Sequence, residues 1–260
     1  MEQKKITLIT VCFQAEDYLE NCIQSVLQQD YPNIEYIIID GGSQDRTPDI
    51  IRKYENKLSK WVSEADEGLY DAMNKGINMA SGEVIGFLHA DDLYEHASVI
   101  SRVMEAFQDD KIGTVYGDLV YVEADNTDQI TRYYPARDFH INKFRKGMMP
   151  PHPTFFVRKS LYEEFGGFDM SYRICADFDL MVRILYREKV ASAYLPEVLV
   201  RMRNGGISTS SLKSTLTINK EMLKACRKYG LNTNLLIIYS KYFTKVSQLF
   251  TRPESSIAHT

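Results

Sequence analysis

From its beginning the chain alternates strand-length apolar runs with helix-like segments, a pattern that requires a mostly parallel sheet flanked by helices. Residues 6–13 read as a first strand. Residues 18–28 read as a helix with Leu19, Cys22, Ile23, Val26 and Leu27 on one face. A second strand at 34–39 ends in Asp40-Gly41-Gly42-Ser43. A helix at 48–55, a short strand near Trp61-Val62 and a helix at 70–79 follow, and then the run Val84-Ile85-Gly86-Phe87-Leu88. This last run predicts a core strand, and it stops at the adjacent carboxylates Asp91 and Asp92.

In open α/β sheets ligands bind just beyond the carboxyl ends of strands, where these two aspartates stand. Neighbouring carboxylates repel unless a cation, a proton or a basic partner neutralises them, which points to a divalent metal; an Asp-Asp turn is the plainer alternative. The tract IIIDGGSQDRT sets Asp40 and then glycines at a strand end, giving close backbone approach and an acceptor for a base or ribose. No G-x-G-x-x-G follows, and a glycine turn with Asp45 or Thr47 capping the next helix would read the same. In SEADEGLYDAMNKGINMASGE, Glu64, Asp66 and Glu67 precede a helix start, and Asp71, Asn74 and Lys75 lie on its first turns. This polar set suits sugar hydroxyls and phosphate, or simply a solvated face. In CADFDLMVR, Asp177 opens an amphipathic helix predicted over 178–187, as its N-cap or as a general base. His152, between Pro151 and Pro153, is a metal ligand, a phosphate partner or a buried hydrogen-bonded histidine.

Beyond a helix at 97–107 the pattern becomes β-rich. Segments 114–123 and 130–134 predict a hairpin closed by the polar tract 124–129, and 154–157 predict a further strand. Residues 203–209 read as a turn, followed by helices at 214–229 and 235–250. With 260 residues, 44% of them hydrophobic, the chain can bury one large α/β core, residues 1–212, plus an appendage. Four scattered cysteines suggest neither zinc site nor disulfide framework and fit a cytoplasmic protein, and no segment predicts a signal peptide or membrane span. From Lys213 onward eight Lys/Arg face two Glu, a net of +6, which leaves −10 for the rest. The acidic body argues against nucleic-acid binding. The basic tail 213–260, with a stripe of Leu235, Ile238, Tyr242, Val246 and Leu249, would lie on an anionic membrane surface at the inner face, pair two subunits, or pack on the body.

Four blocks in order resemble the family 2 glycosyltransferases: ITLITVCFQAEDYLENCIQSVLQQDYPNIEYIIIDGGSQDRT, SEADEGLYDAMNKGINMASGEVIGFLHADD, HPTFFVRKSLYEEFGGFD and CADFDLMVR. The second is similar to bacterial enzymes of colanic-acid and capsular polysaccharide synthesis. The resemblance implies the GT-A fold, a Rossmann-like, mostly parallel central sheet with a helical C-terminal tail. Residues 1–110 would bind a nucleotide-diphosphate sugar, UDP-linked by preference, and 111–212 a glycan or lipid-diphosphate-linked acceptor. It implies that Thr10, Phe13 and Glu16 line the nucleotide pocket, that Asp40 contacts the base, and that Asp66, Asp71 and Asn74 lie near the diphosphate-sugar. His89-Ala90-Asp91 takes the place of the D-x-D motif, so a Mn²⁺ or Mg²⁺ cofactor would rest on Asp91 or Asp92 and on the donor's phosphates. Ala176-Asp177 stands where the family has Glu-Asp, which keeps the general base for an inverting transfer. Without the Q-x-x-R-W signature of processive synthases, single additions are implied. A non-catalytic nucleotide-sugar-fold subunit and a nucleotidyltransferase are the competing readings, although the latter would want a Gly- and Arg-rich loop after the first strand.

Overall fold

The computed structural model describes residues 3–205 and 212–242. The central strand β1 (Ile6–Cys12) is buried along its whole length, because β2 (Ile34–Asp40) and β4 (Val84–Phe87) pair with it in parallel on either side and helices cover both faces. β3 (Lys60–Ser63) extends this parallel half as its edge. Beyond β4 the sheet turns mixed. β8 (Phe156–Arg158) runs antiparallel to β4 and to β6 (Thr114–Val122), and β9 (Ser192–Arg203) runs parallel to β6. β5 (Asp92–Tyr94) closes that side against β9, and β7 (Ile130–Tyr134) hairpins onto β6. The order is β3-β2-β1-β4-β8-β6-β9-β5.

Two apolar layers sandwich the sheet. One holds α1 (Leu19–Leu27), α2 (Thr47–Lys53) and α4 (Val99–Ala106) through Leu19, Ile23, Ile51, Val99 and Val103. The other holds α3 (Leu69–Met79), α6 (Ala176–Met181) and α7 (Leu212–Lys228), joined by Met73, Phe178, Met222 and Cys226. α5 (Lys159–Phe165) follows β8, and α8 (Leu235–Tyr239) seats the fully buried Ile238 in the same layer as Phe144. This end of the tail therefore packs on the body. Val246 and Leu249 of the apolar stripe, and residues 206–209 of the expected turn, lie outside the described residues. Among those described, no helix is long and apolar enough to cross a membrane.

The parallel half matches the alternation in the sequence closely, whereas β5, α5 and β9 have no counterpart there. Pro196 interrupts β9 and disguises it. The strand tolerates the proline because the pairing slips between Tyr116↔Tyr194 and Asp118↔Val198, leaving the proline at an irregularity where no ladder donor is required. Opposite it stands Gly117, where a Cβ would lie 2.6 Å from the Leu199 side chain. The expected helix over 178–187 is α6 continued by a π-helical turn at Val182–Arg187.

Candidate active site

Parallel pairing brings the carboxyl ends of β1, β2 and β4 to one edge, so the loops that follow them enclose a crevice. The loops after β1 and β2 are stitched together. The N–H of Gln14, itself in the left-handed region at φ 49°, donates to Ser43 Oγ at 2.8 Å; Ala15 N–H reaches Thr47 Oγ1 at 2.8 Å and Glu16 N–H reaches Asp45 Oδ2 at 3.1 Å. In return Glu16 Oε2 accepts from the N–H and Nε of Arg46 at 3.0 and 3.1 Å. From this frame Phe13 projects, 61% exposed. Beside it is Gly41, where a Cβ would sit 2.4 Å from Asp66 Oδ2 and 3.4 Å from the Phe13 ring. Only glycine lets carboxylate and ring converge there. Asp66 Oδ1 accepts from Gly68 N–H at 2.8 Å, which fixes the carboxylate at the crevice wall.

Four residues expected at the crevice face elsewhere. Thr10 is fully buried, its hydroxyl 3.0 Å from Tyr36 Oη and 3.7 Å from Cys22 Sγ; it is a core residue and does not line the pocket. Asp40 is also fully buried, and accepts from Ser43 Oγ at 2.5 Å and Ser63 Oγ at 2.6 Å, so it braces the loop from behind instead of meeting a base. Asn74 spends its amide on the backbone of Phe168, donating to the carbonyl at 2.9 Å and accepting from the N–H at 2.8 Å. Asp92 is fully buried and has no hydrogen-bond partner among the described residues, so it cannot serve a metal in the crevice. Adjacent strand residues face opposite sides, and Asp92 already belongs to β5. Burial and the charge of Asp91 push its carboxyl well above the usual range, with Arg203 pulling the other way. Asp71 accepts from Glu67 N–H at 3.1 Å and pairs with Lys75 at 3.3 Å, on the exposed start of α3.

Across the crevice the first turn of α6 presents Asp177, whose side chain is 17% exposed. It is not the N-cap, which is Cys175; its Oδ1 accepts from Phe178 N–H at 2.7 Å. Tyr70 Oη donates to Ile174 O at 2.5 Å and stands 3.5 Å from the same Oδ1. His152 Nδ1 lies 3.6 Å from Oδ2, and the rings of His152 and His89 are 5.6 Å apart between centroids. Burial pushes the Asp177 carboxyl up to about 6, against the lowering pull of the Phe178 N–H. Burial holds His89 and His152 down at about 4, so both rings are neutral at physiological pH. A carboxylate poised near neutrality beside neutral imidazoles can accept a proton from a hydroxyl.

One part of this site has no signal in the sequence. Glu221 of α7 accepts the N–H groups of Arg173, Ile174 and Cys175 at 2.8, 2.9 and 3.0 Å, and so anchors the segment that leads into the helix carrying Asp177. Two residues on, fully buried Asp179 takes Lys228 Nζ and Tyr229 Oη, each at 3.1 Å. Next to Asp177 opens a cavity of about 350 Å³ between the β6–β7 hairpin, the 147–153 connector and α7–α8, lined by Tyr121, Arg132, Tyr134, Met149, His152 and Met222 among others.

Among the described residues no three metal-ligating side chains converge. Near the tip of β4 the protein offers the half-buried Asp91 carboxylate and the neutral His89 ring. This donor set fits a hard divalent cation only in the manner of Mg²⁺ sites that borrow most of their oxygens from a substrate diphosphate.

A model of glycosyl transferase family 2 matches residues 7–166. The chain belongs to that family. Its fold is GT-A: an S. aureus TarS structure in complex with UDP superposes with a TM-score of 0.68 at 17% identity, over 92% of this chain and 72% of that one. A Pyrobaculum calidifontis mannosyltransferase in complex with GDP-Man and Mn²⁺ gives 0.66 at 17% identity, over 94% and 70%. In sequence the chain is 34% identical over 181 residues to an uncharacterized glycosyltransferase of Mycobacterium tuberculosis, 68% of either chain. It is 28% identical over 234 residues to a PGL/p-HBAD biosynthesis glycosyltransferase of Mycobacterium bovis, 88% of this chain and 86% of that one. In this family 2 glycosyltransferase the matched range runs from β1 to α5, and Asp177 with α6 and α7 lies beyond it.

Proposed function

We propose that this glycosyltransferase moves one sugar per encounter from a nucleoside-diphosphate donor, UDP-linked by preference, to a hydroxyl of a glycan or lipid-diphosphate-linked saccharide in bacterial surface polysaccharide or glycolipid synthesis. The donor sits in the β1/β2/β4 crevice, with the base on the Phe13 ring and Glu16 and Asp66 bordering the nucleotide. Relatives named for GDP-Man, UDP and PGL/p-HBAD synthesis support the donor class and the acceptor range. The observation that carries the reading is Asp177, a largely buried carboxylate near pKa 6 at the junction of crevice and cavity.

Asp177 takes the proton of the acceptor hydroxyl as that oxygen bonds to the anomeric carbon. The bond from that carbon to the diphosphate breaks, its electron pair leaves with the nucleoside diphosphate, and the configuration inverts. Tyr70 and the Phe178 N–H hold the carboxylate in place, and the neutral His152 flanks its other oxygen. A Mn²⁺ or Mg²⁺ ion held by Asp91, with His89 beside it, supplies positive charge to the leaving diphosphate when bound. The exposed Leu235 and Leu236 on α8, in a tail of net positive charge, support a contact with the inner membrane surface, which liposome co-sedimentation of the whole chain would test.

Incubation with a panel of nucleotide sugars and Mn²⁺ tests the reaction. Slow release of nucleoside diphosphate from one donor is expected, and its loss in Asp177→Asn with nucleotide affinity retained. No release from any donor, or full release by the Asn variant, would remove Asp177 from this role.

A further inference from the structure

The cavity beside Asp177 contains a cation that the transfer chemistry above does not use. Arg132, on β7, projects into it with its guanidinium 3.7 Å above the Tyr121 ring. Its Nε is buried without a hydrogen-bond partner, and among the described residues no carboxylate pairs with it. A guanidinium without a carboxylate partner favours an anionic ligand on those of its atoms that line the cavity, the Nε itself having no surface open to it. Tyr134 lies within electrostatic reach of both Arg132 and Asp177, which puts the cation and the base in one enclosure. The rest of the wall is aromatic and sulfur-rich, Tyr121, Tyr134, Met149, Met202 and Met222, a lining that suits a sugar ring or apolar aglycone. Lys241, itself nearly fully buried, brings a second cation to the same wall.

We infer that the acceptor of this enzyme carries an oxyanion, a phosphate or a carboxylate, which docks on Arg132 while its hydroxyl lies at Asp177. This rests on the reading of Asp177 as the base of a glycosyl transfer. The planar fork of Arg132 can hold such a group by two parallel N–H···O bonds, and the aromatic wall excludes the water that would weaken them. Neutral acceptors of the same size would leave the guanidinium without an anionic partner and are selected against.

Titration calorimetry on the full chain, with and without UDP, tests this with glucose 1-phosphate, glucuronate and methyl glucoside as probes. At least one charged probe is expected to bind about tenfold or more tightly than methyl glucoside, roughly the discrimination lost with one charged hydrogen bond. The better of the two identifies phosphate or carboxylate as the group. Raised salt should narrow the preference. Arg132→Gln should abolish it while UDP binding and the unfolding temperature stay unchanged. If that variant does not fold, the wild-type preference and its salt dependence decide. Equal binding of the three probes, no binding by either charged probe, or a preference that persists in folded Arg132→Gln would each overturn the inference. Absence of UDP binding would strike the donor reading instead, and leaves the probe comparison without UDP intact as a measurement.

Discussion

The proposed donor side and acceptor side of this enzyme are held by different parts of the chain. On the proposed donor side, loops that follow β1 and β2 hold one another within a single β–α–β unit: Ser43, Asp45 and Thr47 receive the N–H groups of residues 14–16, and Asp40 holds Ser43. On the proposed acceptor side Asp177 is held by three separate parts of the chain, Tyr70 of α3, His152 of the connector and Glu221 of α7, the last through the backbone just before α6. A frame made within one unit survives changes elsewhere in the protein. A carboxylate held by several units shares the stability of every element that reaches it. The two sides should therefore fail separately, and the substitutions below are chosen to show whether they do.

The largest effect is expected at Asp177. General-base assistance contributes about 10²- to 10⁴-fold, so Asp177→Asn should lower kcat by that order while donor affinity, measured by calorimetry with UDP, stays within a factor of a few. Since the carboxyl titrates near 6, wild-type kcat/KM should fall about tenfold per pH unit below that value and level off above it, as the base is protonated on the acid side. That acid limb should disappear from the residual activity of the Asn variant. A fall in UDP affinity equal to the fall in kcat would join the two sides that the geometry separates.

Next in size is Glu221→Ala, which strips three backbone N–H groups of their acceptor at the start of the segment that carries Asp177. The expected cost is about 1–3 kcal/mol of stability, with turnover lowered and UDP affinity retained. Glu221→Gln, which keeps one acceptor oxygen, should recover part of both. Thermal unfolding and steady-state kinetics on the pair would show whether the hydrogen bonds or the charge matter more.

The contrast also explains what the sequence could and could not reveal. Apart from β5, the strands and helices from β1 to α4 follow from periodicity, because each buries its apolar face within its own neighbourhood. The Phe13–Gly41–Asp66 cradle is foreshadowed by an aromatic after one strand and glycines after the next. Asp91 and Asp92 look alike in the sequence, but Asp91 stays in the turn after β4 while Asp92 opens β5 and is buried by its pairing with β9. Thr10 and Asn74 carry polar groups that a ligand could use, yet the fold uses them first, on Tyr36 and on the Phe168 backbone. Glu221 lies 46 residues from Cys175, and nothing local marks a carboxylate on an ordinary-looking amphipathic helix as the anchor of the segment before another helix.

On the donor side alone, Phe13→Ala tests the stacking surface. The ring is largely exposed, so its loss should leave stability unchanged and weaken UDP binding by roughly 1–2 kcal/mol, about 5- to 30-fold, in keeping with the worth of base–aromatic stacking. The acid limb at Asp177 should stay where it is. An altered pH profile in this variant would mean that the crevice and the base communicate.

The smallest effect is expected from Tyr70→Phe, and it is the most discriminating because Tyr70 lies between the two sides. Removing its hydroxyl deletes the bond to the Ile174 carbonyl, at a cost of about 1 kcal/mol, and a weaker donor to Asp177 Oδ1. That donor favours the charged carboxylate, so without it the folded-state pKa of Asp177 rises further above its unfolded value. The acid limb of kcat/KM should accordingly move to higher pH, while activity well above the limb, where the base is ionised in either protein, is nearly unchanged. A limb that moved to lower pH would reverse the sign of this hydrogen bond and leave burial alone to account for the raised carboxyl.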